Sequence, residues 1–257
     1  MDNPILTTLL NRRSVRRYQP DLPSDETIQA VVRAGQQAPF ACQMYSVLLS
    51  RKKKAPYHAP LLFTICVDIY KLERFMALRG WKLVTNDLSL LFLAIQDAAY
   101  AAENMVIAAE SLGLGSCFLG AAPYKARRIQ KEYHLPQHVF PLVQLVMGYP
   151  AESFPPRPRY PLAFTLFEDE YPALTDDQVR EAMAVMDEGY LAQGYYRKQN
   201  VKIVLEDDRQ ETFTFENYSW TEHISRKNGQ WYASPDELLE QLKACGFSWE
   251  ASDLPPA

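Results

Sequence analysis

The sequence predicts an α+β layer fold. One long apolar run over residues 88–112 demands a helix buried on more than one side. Short apolar runs rich in β-forming residues at 45–50 and 61–67 read as buried strands, and 116–119 and 140–147 read as two further strands. Helical segments separate these strands without the regular strand–helix–strand alternation of a parallel α/β sheet, and no internal repeat is visible. A chain of 257 residues has room for one large domain or two small ones.

The elements follow in order. Asp2 or Asn3 caps a first helix, with Pro4 suited to its first turn and Ile5, Leu6, Leu9 and Leu10 sharing a face. The basic run Arg12-Arg13-Ser14-Val15-Arg16-Arg17 is expected to close that helix, which would put Arg12 and Arg16 on one side. Ser24 caps a second helix, with Asp25 and Glu26 in its first turn and Ile28, Val31 and Val32 pointing inward. Gly113 and Gly115 terminate the long helix that starts near residue 87. A strand, a turn at Gly120-Ala121-Ala122-Pro123, a helix to about His134 and a further strand come next. The last third holds a helix over 175–196 and two alternating strands around the polar turn 206–211, which predict a β-hairpin. A final helix opens at Ser234-Pro235-Asp236-Glu237 and closes at Gly246, and the proline-containing end beyond residue 249 is expected to fray. The domain expectation is a core over 1–172, an extension with a hairpin arm over 173–249, and a flexible tail over 250–257.

A net charge of −4 argues against a dedicated nucleic-acid binder. Asp97, Glu103, Asn104 and Glu110 interrupt the longest apolar run too often for a membrane span. The opening Met1-Asp2-Asn3-Pro4 is acidic and no apolar segment follows it, which predicts no secretory signal and a cytoplasmic location. Cys42, Cys66, Cys117 and Cys245 show no CxxC spacing and read as free, structurally buried thiols of a reducing compartment. His134 and His138 have the spacing of a metal pair, but Pro136 between them breaks the helix that would align them, so no metal site is expected.

The chemistry points to an anion. Guanidinium groups are suited to phosphate because a planar fork donates two parallel hydrogen bonds and stays charged at every relevant pH. Two such clips exist, Arg12–Arg16 with the Ser14 hydroxyl, and Arg157-Pro158-Arg159. Each alone also suits an ordinary solvated basic surface. Taken in order, however, several segments resemble the FMN-dependent nitroreductases, in particular the NADPH nitroreductase and flavin reductase branch. They are Arg12-Arg13-Ser14-Val15-Arg16, the stretches 97–104 and 108–115, 135–141, Gly148-Tyr149-Pro150, Arg157-Pro158-Arg159-Tyr160-Pro161, 220–224 and 246–249.

That resemblance implies a three-layer fold with a central mixed, mostly antiparallel sheet, and a homodimer with FMN at the subunit interface, each site built from both chains. It implies that Arg12, Arg13, Ser14 and Arg16 contact the FMN phosphate and ribityl chain, with Arg157 and Arg159 completing the clamp. Phe40, Ala41, Cys42 and Gln43 would run beside the isoalloxazine, and Leu119 and Gly120 would bring main chain near its N5 edge. The flavin carries the chemistry, so no side chain is expected to be catalytic. NADPH or NADH would donate and a small electron-poor acceptor, such as a nitroaromatic or a quinone, would receive in a ping-pong cycle, with no nucleic-acid or membrane partner. An alternative acceptor is free flavin, and a non-enzymatic alternative is a polyanion-binding module using the runs 12–17 and 51–54. This chain departs from the family pattern at Ala121, where a second glycine is usual, at the apolar 40–42 loop, and in the acidic segment 206–211 where the branch carries arginines for NADPH.

Overall fold

A computed structural model describes residues 3–51, 55–206 and 209–249. They form two compact units, one of Met1–Phe154 with Ser234–Ala257 and one of Pro155–Ala233.

The first unit is built on four strands, β1 (Tyr45–Ser50), β2 (Leu61–Asp68), β3 (Gly115–Leu119) and β4 (Val139–Gly148). Their order is β1-β2-β4-β3 and every pairing is antiparallel. The parallel component among the described residues is a bridge between Ser14 and Ser116. β2 is buried at every position, as a continuous apolar run requires. Its register with β4 shifts between Ile65 and Cys66, where Pro141 lies opposite. Proline has no N–H for the ladder, so a central strand tolerates it at a bulge.

The long helix α4 (Asp87–Ser111) forms as expected. Asn86 caps it by accepting from the Ser89 N–H, and Gly113 beyond its end takes φ +77. By length and composition it would pass for a membrane span, yet Ala94, Ala98, Ala101, Met105 and Ala109 are fully enclosed by protein. Its small residues let α2 (Asp25–Gln36) come close: a Cβ on Gly35 would stand 2.7 Å from Met105 Cγ. α1 (Pro4–Asn11) packs on α4, capped by Asn3 as predicted, but Ile5, Leu6, Leu9 and Leu10 are all exposed and α1 buries no residue. The sequence did not single out α3 (Tyr70–Leu78). α5 (Ala126–Tyr133) ends at His134 in the left-handed conformation. The final helix α9 (Pro235–Ala244) has the predicted Ser234 cap and a Gly246 stop at φ +95. Leu242, Cys245 and Phe247 join Met44, Val67 and Phe140 in a second core cluster. The expected frayed end, 250–257, lies outside the described residues, as does 52–54 of the second basic run.

In the second unit the helix expected over 175–196 is broken at Gly194 (φ +57) into α6 (Asp176–Ala192) and α7 (Tyr195–Gln199). α8 (Trp220–Gly229) follows. The expected β-hairpin is not there: the described residues of 201–215 form no strand. Side chains take the backbone groups a ladder would use. The Ile203 N–H donates to the Tyr218 hydroxyl at 3.0 Å, while Arg226 Nη1 donates to the Ile203 carbonyl at 2.8 Å. Lys202 Nζ donates to the Phe213 carbonyl at 2.6 Å. Arg226 is 3 % exposed and also binds Glu211 and Glu222. Those bonds hold the Glu211 carboxyl far below the usual carboxylate range.

Candidate functional site

The basic run is not helical. α1 stops at Asn11, so Arg12 and Arg16 share no helical face. Residues 13–18 run extended along the edge of the sheet because their main chain finds partners there. Val15 N–H donates to the Ser116 carbonyl at 2.8 Å, Arg16 N–H to Glu152 Oε1 at 2.7 Å, and Ala151 N–H to the Arg17 carbonyl at 2.9 Å. Val15 is buried against β3, in a space only glycine leaves: a Cβ on Gly115 would stand 2.5 Å from Val15 Cγ2. Alternation along the extended chain then turns Arg16 away from Val15.

Two carboxylates lie among these arginines. Burial raises the pKa of the Glu110 carboxyl against the pull of the Arg13 and Arg12 charges, and its Oε1 is buried without a hydrogen-bond partner among the described residues. Glu152 takes the Arg16 N–H. With both ionised, the four guanidinium groups Arg12, Arg13, Arg16 and Arg17 keep a surplus of two positive charges. Arg16, Ser14 and Arg12 also surround the Cys117 thiol, whose pKa burial still raises. Burial likewise pushes the Tyr18 hydroxyl, which donates to the Val15 carbonyl at 2.6 Å, well above its usual range.

β3 carries the site onward. Ser116, paired with Ser14, is three residues from Leu119, so Leu119 and Gly120 lie about 10 Å further along the same edge. A Cβ added at Gly120 would meet nothing within 4 Å, so the space beside its backbone is open. Leu119, Ala121 and Ala122 border a cavity of about 330 Å³ with Lys125, Arg128 and Gln144.

The loop of Phe40, Ala41, Cys42 and Gln43 precedes β1, the opposite edge strand. Phe40 and Cys42 are exposed, the latter against the expectation of a buried thiol. Cys66, Cys117 and Cys245 are buried as expected, and burial pushes the Cys66 thiol up to about 12. The loop is tied down from below by Asp97 of α4, whose carboxylate accepts the N–H groups of Ala41, Cys42 and Met44 at 2.6, 3.1 and 3.0 Å. Within one chain, then, the arginine run and the β3 end lie together, while the 40–43 loop leads into the far edge, three strand spacings of about 4.8 Å away.

Arg157 and Arg159 belong to the second unit. The Arg157 guanidinium stacks on the Tyr195 ring, 3.9 Å from its centroid, and donates to Gln193 Oε1 at 2.7 Å. Gln193 Nε2 donates in turn to the Pro156 carbonyl at 2.8 Å. Pro158 sits on Gly189, where a Cβ would stand 2.5 Å from its Cγ. Arg159 Nη1 donates to the carbonyls of Arg157 and Pro158. The Arg-Pro-Arg turn is thus moulded onto the junction of α6 and α7.

His138, weighed as a metal ligand, is instead bonded through Nδ1 to Glu73 Oε1 and through Nε2 to the Gly246 carbonyl, at 2.6 and 2.7 Å. Sequence reasoning missed the residues that hold these candidate segments in place: Asp97, Glu110 and Glu152 in the first unit, and, around the Arg-Pro-Arg turn of the second, Gln193 and Tyr195. The one available signal was the charge of Asp97 and Glu110 on an apolar helix.

Comparison with known proteins places this arrangement. The nitroreductase family model matches residues 9–51 and 49–149. A Bacillus subtilis protein named FMN reductase (NADPH) is 30 % identical over 213 residues, 76 % of this chain and 84 % of that one. An NADPH-dependent oxidoreductase of Staphylococcus epidermidis is 26 % identical over 265 residues, covering 96 % of this chain and 99 % of the relative. Among solved structures, B. megaterium NfrA2 superposes with a TM-score of 0.81 at 26 % identity, over 97 % of this chain and 100 % of that one.

Proposed function

The chain belongs to the nitroreductase family, and from that membership we propose an FMN-dependent oxidoreductase that takes electrons from NADPH or NADH and delivers them in pairs to an electron-poor acceptor such as a nitroaromatic or a quinone. The residues fit the cofactor. A phosphate monoester carries close to two negative charges at neutral pH, and the run 12–17 offers a surplus of two positive ones on a backbone already held by β3 and Glu152. That match is the observation that carries the proposal.

When bound, FMN supplies the two-electron chemistry, accepting hydride from a nicotinamide and passing reducing equivalents to the acceptor. The chain supplies binding and orientation. Arg12, Arg13, Ser14 and Arg16 hold the phosphate end, on a backbone fixed by main-chain bonds to β3 and Glu152. Arg157 and Arg159 are the second unit's own phosphate-binding candidates, with the Arg157 guanidinium oriented by Gln193 and Tyr195. Leu119 and Gly120 offer main chain to the ring beside open space. Phe40, Ala41, Cys42 and Gln43 border the ring from the partner subunit, because they lead into the sheet edge opposite β3. The working unit is therefore a homodimer. Supporting it, Ile5 and Leu10 of α1 and Phe92 of α4 stay 64 %, 76 % and 63 % exposed, too apolar a surface to leave to water. Four unpaired thiols suit the reducing cytoplasm.

The test starts with colour: protein purified with FMN should hold one flavin per chain, and anaerobic NADPH or NADH should bleach it. Arg16→Ala should weaken FMN binding about tenfold or more, the loss of a charge-assisted phosphate contact. A colourless protein that takes up no flavin refutes the assignment. The name of the Bacillus relative favours a second reading, with free flavin as the acceptor. Turnover with free FMN against a quinone at equal NADPH separates the two.

A further inference from the structure

Asp97 is a carboxylate in the middle of an apolar helix, 1 % exposed, with Ala94, Ala98 and Ala101 around it at 0 %. Burying such a charge is costly unless hydrogen bonds replace water. Here they do. Three main-chain N–H groups of one short loop, those of Ala41, Cys42 and Met44, converge on its two oxygens. To bring them together Gln43 takes φ +52, a conformation a non-glycine residue seldom adopts. An apolar residue at 97 would suit the core, but it would give the loop no reason to hold this shape.

We infer that Asp97 is a positioning residue for the cofactor, acting through the 40–44 loop. This rests on the reading that the loop borders the flavin. With the N–H groups of 41, 42 and 44 turned inward to the carboxylate and Met44 anchored in the core, residues 40–43 stay exposed. Phe40 and Cys42 are exposed there, next to Gln43, whose carbonyl is taken by the Tyr45 N–H at 2.8 Å. The outward surface is thus an aromatic ring, a thiol and a carboxamide, set at fixed positions by a group that never touches the ligand.

The experiment compares wild type with Asp97→Asn, whose NH2 group cannot accept and so faces at least one loop N–H with a donor. Asp87→Asn is the control, since Asp87 starts the same helix and accepts the Ser248 N–H at 2.8 Å. Three readouts are taken: alkylation of Cys42 by N-ethylmaleimide, FMN affinity by fluorescence quenching, and the visible circular dichroism of bound FMN. D97N should speed Cys42 alkylation of the flavin-free protein and weaken FMN binding, each by about tenfold, as expected for lost charge-assisted bonds. It should also alter the flavin's dichroism. D87N, at a comparable loss of melting temperature, should match wild type in all three. D97N that behaves as wild type, or D87N that behaves as D97N, overturns the inference. If wild type binds no FMN the enzymatic reading fails, and with it the positioning role; the alkylation rates then show only that Asp97 shapes the loop. If D97N does not fold, hydrogen exchange on wild type decides: the amides of 41, 42 and 44 should be protected without flavin and more so with it. Solvent-like exchange there, or no change on adding FMN, counts against the role.

Discussion

Gly115 decides where the basic run lies. Its missing side chain admits Val15 to the surface of β3, and the arginines on either side follow from that contact. Gly115→Ala would set a methyl 2.5 Å from Val15 Cγ2. The expected cost is about 1–3 kcal/mol of overpacking, with weaker FMN binding because the run lifts from β3. Thermal melting and flavin titration together check this. Glu110 gives a prediction with a sign. Burial raises its pKa, so the folded chain holds that proton more tightly than the unfolded chain. The penalty is full above the raised pKa and absent below the ordinary carboxyl range. Glu110→Gln keeps the shape of the side chain without the buried charge and should raise the melting temperature by about 2 °C at pH 7–8, the gain fading toward pH 4. A constant gain at all pH values would contradict it. The arginines were legible in sequence because guanidinium chemistry is local to the residue. Glu152 was not, since its partner Arg16 is 136 positions away.

Among the elements, caps and stops were the most readable features. Asn3, Ser24 and Ser234 cap the helices assigned to them, and Gly113 and Gly246 lie in the left-handed conformation expected of stops, whereas Gly115, expected as a second stop, begins β3. Capping depends on two or three neighbouring residues, so it is written within a short window. Alternation at 201–215 misled because period two says only that a segment can be extended, not that a strand waits beside it. There the partners are side chains of α8 and its approach, with Arg226 at the centre. Arg226→Met keeps much of the apolar stem but leaves Glu222 without its partner and Glu211 with Lys202 alone. Proteolysis within 201–215 should accelerate about tenfold while the first unit melts unchanged. The same carboxylates bear on the electron donor. Arg197 pairs with Glu216, and Lys202 and Arg226 with Glu211, so these cations are already engaged. KM values for NADPH and NADH should therefore lie closer together than in a relative with unpaired arginines in this segment, and steady-state kinetics with both donors will tell.

For the whole molecule, α1 and α4 leave large apolar side chains uncovered. The sequence showed that α4 is apolar around most of its circumference, and the fold covers only part of it: Leu90, Leu91, Ala94 and Ala98 are buried, while Phe92 and Leu93 are not. Replacing Leu10 and Phe92 together by Glu should yield a monomer by sedimentation. FMN affinity should fall with it, since the 40–43 loop and the β3 edge would no longer come from two chains. A double variant that stays dimeric, or a monomer that binds FMN as wild type does, would count against the two-chain site.

By itself the sequence determined the local grammar: most helix starts, the four strands, the concentration of guanidinium groups and the family to which these ordered motifs point. Those features depend on residues close together in the chain, where sterics and hydrogen-bond chemistry leave few choices. Only the tertiary structure decided that the arginine run is extended, that Asp97 gathers three amides of a loop more than fifty residues away, and that 201–215 needs no ladder. Each of these is settled by which distant group removes water from a polar atom, and no spacing along the chain records that.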